Sequence, residues 1–70
     1  MNNYTNWDTW ETVNWVLNSE AIVKSILQSN NSEATKIITQ HMTMVKYCYA
    51  SNVDLNEVNM QEVINTVKNN

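Results

Sequence analysis

Ser32-Glu33-Ala34-Thr35-Lys36-Ile37-Ile38-Thr39-Gln40-His41-Met42-Thr43-Met44-Val45-Lys46-Tyr47-Cys48-Tyr49-Ala50-Ser51 sets Ala34, Ile37, Ile38, His41, Met42, Val45, Cys48 and Tyr49 on one stripe. Steps of three and four residues, sustained over eight positions, are the period of an α-helix with one buried face. The spacing predicts a helix over 33–51, capped by Ser32, opened by Glu33 and stopped at Ser51-Asn52. Tyr47-Cys48-Tyr49 has strand-favouring residues, but no Asn-Gly or Asp-Gly turn exists to fold a hairpin around it.

Working outward, Ser29-Asn30-Asn31-Ser32 is a loop signal. Before it, Ile22, Val23, Ile26 and Leu27 form an apolar stripe opposite Lys24, Ser25 and Gln28, predicting a helix over 20–29 with Ser19 as cap. The first helix is expected over 7–18. Asn6 is its candidate cap, with Asp8 as the alternative, and Trp10, Val13, Asn14 and Leu17 mark one face. Asp54 with Glu57 and Asn59 with Glu62 both have capping-box spacing. The favoured assignment is a short turn at 54–58 and a last helix over 60–68, with Val63, Ile64 and Val67 beside Met60 as its apolar face. The expected fold class is all-α: one domain, 1–70, a small bundle of three to four short helices.

Glycine, proline, arginine and phenylalanine are absent, while asparagine occurs thirteen times. Helix ends that need a left-handed residue are therefore expected to use asparagine. The single cysteine, Cys48, excludes an internal disulfide and is expected as a small buried apolar residue in a reducing, cytoplasmic setting. With His41 the only histidine, no protein-built zinc site and no cofactor are expected. The net charge of −3, with four scattered lysines, argues against nucleic acid as a partner. No apolar run approaches the ~20 residues that span a bilayer, and residues 1–4 lack the character of a secretory signal. His41 and Cys48, the one base and nucleophile pair, lie two turns and roughly 10 Å apart along a helix, beyond proton-transfer reach. No enzymatic activity is expected. A core of this size supplies only a few kcal/mol, which leaves a partner or a homo-oligomer as added support.

The candidate partner-binding residues are aromatic and thioether side chains. Trp7, Trp10 and Trp15 fall within nine residues, flanked by Tyr4. Trp10 is expected in the core. Trp15 lies off the Trp10–Val13–Leu17 face, so it either packs on a neighbouring helix or stands exposed. Met44 and Tyr47 sit at or beyond the edge of the long stripe. Trp15, Met44, Tyr47 and Tyr4, with Glu11 in an acidic rim, form the candidate interface, since tryptophan and tyrosine are enriched in binding hot spots.

Asn3-Tyr4-Thr5-Asn6-Trp7-Asp8-Thr9-Trp10 and Trp15-Val16-Leu17-Asn18-Ser19-Glu20 resemble a family of small phage and mobile-element proteins. Members read roughly N-Y-x-N-W-[DE]-T-W, then L-W-[IL]-x-N-[DS]-E. Val58-Asn59-Met60-Gln61-Glu62-Val63 is similar to that family's V-[DN]-W-x-E-[IV], with Met60 in place of the usual aromatic. The resemblance covers about a third of the chain. It implies a helical fold and a mobile-element origin, and it brings no activity with it. Within the motif, polar caps are expected to fix the direction of the tryptophans. Very short acidic phage proteins commonly inhibit a host protein, so the expected function is an anti-CRISPR-like inhibitor of a host defence effector. The alternatives are a homo-oligomeric assembly protein and a transcription-associated regulator acting by protein contact.

Overall fold

The computed structural model describes residues 3–70. They form α1 (Trp7–Leu17), α2 (Glu20–Leu27), α3 (Asn31–Tyr49), a 3₁₀ turn (Leu55–Glu57) and α4 (Met60–Lys68). No strand occurs among the described residues, and the fold is a small all-α bundle. Each α-helix starts at a side-chain cap. Asn6 accepts from the Thr9 N–H at 2.8 Å, Ser19 from Ile22 at 3.4 Å, Asn30 from Glu33 at 2.8 Å and Asn59 from Glu62 at 3.2 Å. Three of these four caps are asparagine, and a cap of this kind contributes about 1 kcal/mol.

The long helix begins two residues earlier than the sequence predicts, because Asn30 rather than Ser32 is its cap. Glu33 returns a bond to the Asn30 N–H at 3.0 Å, which completes a capping box and satisfies two helix-end donors at once. Ser32, already inside the helix, has no such reciprocal partner. The same helix ends at Tyr49 instead of residue 51. The residue that caps its C-terminal end, Ala50, is left-handed at φ 54°, where asparagine was expected; Asn3 is the other described residue with positive φ, at 74°. A β-carbon in that region costs roughly 1–2 kcal/mol. Ala50→Gly is expected to raise stability by about 0.5–1 kcal/mol, after allowing for glycine's greater freedom in the unfolded chain. Urea unfolding measures this, and an unchanged midpoint would show that Ala50 carries no strain.

The core is built on α3, whose Ala34, Ile38, Met42 and Val45 are all buried. Around them close Val13 and Val16 of α1, Ile26 of α2, Val63, Ile64 and Val67 of α4, and Val53 from the connection before the 3₁₀ turn. Lys46 closes that connection by donating from Nζ to the Val53 carbonyl. Lys68 ties the end of α4 to the α2–α3 loop through the Ser29 carbonyl at 2.7 Å.

Burial along α3 stops at Val45. Its last turn is left largely uncovered, so Cys48 and Tyr49, expected on the buried stripe, are exposed. His41 is half-buried. Its Nε2 is buried and has no hydrogen-bond partner among the described residues, unlike the satisfied core histidine expected. On α2, which runs eight residues rather than ten, Ile26 is buried and Ile22 and Val23 pack on the core, while Leu27 turns outward.

Candidate functional site

The site is decided by how α1 is rolled about its axis. Polar residues of the N-terminal segment grip the chain between Asp54 and Glu62. The Thr5 N–H donates to Glu62 Oε1 at 3.0 Å, and the Thr5 hydroxyl donates to Oε2. Asn6 Nδ2 donates to the Glu57 carbonyl at 2.7 Å. Asp8 Oδ1 accepts from the Asp54 N–H at 2.9 Å, and Thr9 Oγ1 accepts from the Asn59 N–H at 2.9 Å. The segments around Thr5–Thr9 and Asn59–Glu62 therefore meet in space, and their polar residues are a clamp.

The clamp turns the polar side of α1 inward. Thr9 and Thr12 are fully buried, alongside Val13 and Val16. Thr12 can be buried because its hydroxyl donates to the Asp8 carbonyl at 2.8 Å. The expected core face of Trp10, Val13, Asn14 and Leu17 is thereby displaced, and only Val13 remains inside. Trp7 is 42% exposed and Leu17 36% exposed, while Trp10 is half-buried but does not pack on the core cluster. At 100° per residue, Trp7, Trp10, Asn14 and Leu17 run as one row, roughly 130° around the axis from the buried side and about 15 Å long. Their steps of three, four and three residues match the seam of a helix that docks on another helix. Glu11, one turn after Trp7, flanks the row about 80° from its centre, on the side away from Trp10. Its carboxylate has no ion pair or hydrogen bond among the described residues; the ion pair there is Lys24–Glu20 at 3.2 Å on α2.

The clamp is sensitive to acid. The bond from the Thr5 hydroxyl, then that from the Thr5 N–H, holds the Glu62 carboxyl below its ordinary value of 4.5, against a smaller opposing effect of desolvation. A folded value below the unfolded one means that Glu62 contributes stability above about pH 4.5, and that this is lost as pH falls through the folded value. Glu62→Gln is expected to lower the melting temperature near neutrality and to flatten its decline on acidification. Equal acid sensitivity in both proteins, measured by thermal melts between about pH 6 and pH 3, would show that other carboxylates dominate.

The candidates read from sequence fall in separate places. Trp15 is half-buried against the core, and its ring meets Tyr49 at 5.2 Å with a 31° tilt, an arrangement that ties α1 to the C-terminal end of α3. Tyr4 also packs on the core, with the Thr66 hydroxyl donating to its phenol oxygen at 3.4 Å. Met44, 52% exposed, and Tyr47, 90% exposed, share the outer face of α3. Only Glu11 lies beside the α1 row. Trp7 and Trp10 were missed as site residues. The signal that could have found them is the pair of threonines, Thr9 and Thr12, which compete for the inward side of the same helix.

Among the described residues no three histidine, cysteine, aspartate or glutamate side chains cluster as metal ligands would. No helix is long and apolar enough to cross a membrane. A shallow, open depression lined by Leu17, Asn18, Glu20, Val23 and Asn70 adjoins the C-terminal end of the row. Compared with known proteins, the chain matches no family model, no curated sequence and no solved structure.

Proposed function

We propose that this protein is a non-enzymatic, phage-type inhibitor that acts by docking the outer face of α1 on a host protein, a defence effector of the CRISPR class being the leading target. The observation that carries the docking reading is that Trp7 and Trp10 stand outside the core of a protein whose buried side of α1 includes two threonines. A small domain gains most of its stability by burying aromatics. Here two of three tryptophans lie off the buried side of α1, Trp7 exposed and Trp10 half-buried. Rigid, pre-positioned tryptophans are the residues that dominate binding energy at protein interfaces.

The phage origin and the defence target rest on the resemblance of the N-terminal motif and on the acidic, single-domain character of the chain. The test is capture of a single host protein by the tagged chain, and loss of that capture in the Trp7→Ala/Trp10→Ala variant. Capture that survives the double substitution would remove the α1 face from the proposal.

A further inference from the structure

We propose that the outer face of α1 takes a cationic partner, specifically an arginine side chain projecting from a helix that lies along the Trp7–Leu17 row. This rests on the α1 face being the docking surface, and it adds the chemistry of what docks there. Three features of the face support it. Glu11 presents a carboxylate with no partner among the described residues, flanking the row on the Trp7 side. Trp7 is one helical turn before Glu11 and on its side of the helix, so a group approaching the carboxylate also meets an indole face. Leu17 extends the row with an apolar end, where the aliphatic side of a partner helix can rest.

A guanidinium satisfies all of these contacts together. It bonds a carboxylate through two parallel N–H groups, and its flat cation stacks on indole. An ammonium offers a point charge without the stacking plane. A carboxylate or phosphate would face Glu11 and the net charge of −3. Removing an unpartnered carboxylate from water beneath an apolar partner carries a desolvation cost that only an opposite charge offsets.

The chain has no arginine, and among the described residues each lysine is engaged or lies elsewhere. Lys24 pairs with Glu20, Lys46 holds the Val53 carbonyl and Lys68 holds the Ser29 carbonyl. Lys36 lies on α3, away from the row. A two-fold contact between α1 helices of two copies would bring Glu11 against Glu11. A second copy using Lys36 would have to add head to tail, without closing.

The experiment uses the full chain, ¹⁵N-labelled, with the Trp7 and Trp10 indole N–H signals assigned by single Trp→Phe variants. The probes are two leucine–alanine helical peptides about 18 residues long, one with a central arginine and the other with citrulline, which keeps the shape and removes the charge. The arginine peptide is expected to shift both indole signals saturably and to bind about tenfold tighter than the citrulline peptide. Glu11→Gln is expected to bring the two peptides to within about twofold. Equal affinity of the two peptides for the unsubstituted chain, no shift at either indole, or an arginine preference that survives Glu11→Gln would each overturn the inference. Capture from host lysate separates this failure from that of the docking surface. Capture lost with Trp7→Ala/Trp10→Ala but kept with Glu11→Gln leaves the surface and removes the cation. Capture kept by both variants removes the surface itself, and a mass that climbs with concentration in light scattering assigns the face to self-association instead.

Discussion

Replacing Trp7 and Trp10 together by alanine is expected to weaken capture of the partner by at least about 100-fold while the melting temperature moves by only a few degrees. Buried tryptophans at the centre of an interface each carry about 2 kcal/mol or more, and two of them give 100-fold even with strong non-additivity. Neither ring is part of the core cluster, so their removal opens no central cavity, and the loss is that of the local packing of a half-buried Trp10 and a partly covered Trp7. A change of about 1 kcal/mol in a domain of this size moves the melting temperature by roughly 4–8 °C, which bounds the expected shift. Tyr47→Ala is the matched control, because Tyr47 is more exposed than either tryptophan but sits on α3, away from the row. Equal loss of capture in Tyr47→Ala and the double variant would move the interface to the Met44–Tyr47 face or spread it over both. A double variant that unfolds would show that the rings support the fold after all.

The combination of a stable fold and an outward tryptophan row depends on contacts that span the chain. The clamp bonds join residues 46 to 57 positions apart, from Asp8–Asp54 to Thr5–Glu62. Local signals settle the parts of this protein that depend on neighbours. The α4 boundaries, the Asn6 cap and the apolar face of Val63, Ile64 and Val67 all read directly from spacing and side-chain type. The roll of α1 does not read that way. Trp10, Val13 and Leu17 are the more apolar set, and periodicity alone assigns them to the core. Thr9 is inside because the Asn59 N–H needs an acceptor there, and Asn59 is fifty residues away. The same limit applies at the end of α3. The stripe continues through Cys48 and Tyr49, but whether a stripe is covered depends on how the other helices pack against it. Trp15 was open between packing and exposure for this reason, and its contact with Tyr49 pairs two residues from different helices. What was legible of the site was therefore its composition, an aromatic cluster near an acidic side chain. Its direction was set by distant polar partners.

Ile38→Ala is expected to remove about 3 kcal/mol of stability and to lower the melting temperature by roughly 12–24 °C. Ile38 has no exposed surface and sits midway along α3, the helix that α1, α2 and α4 all contact. Removing three of its carbons leaves a cavity bounded by several helices at once, which relaxation of one of them cannot close. A 70-residue chain is expected to hold about 4–10 kcal/mol in total, so the loss is a large fraction of it. Urea unfolding with an unchanged slope would assign the effect to the core rather than to the unfolded ensemble. A loss under about 1 kcal/mol would mean that the bundle is not organised around α3. The variant also completes a contrast with Trp7→Ala/Trp10→Ala. Its docking face is intact, so binding should fall only by the folded fraction. Saturating partner, at about 100 times its dissociation constant, should restore roughly 2.7 kcal/mol and much of the lost melting temperature. The tryptophan variant should show the opposite pattern, a folded protein that partner neither binds nor stabilises. If the partner stabilises both variants equally, the row and the core are not separable, and the division of labour between inward threonines and outward tryptophans is wrong.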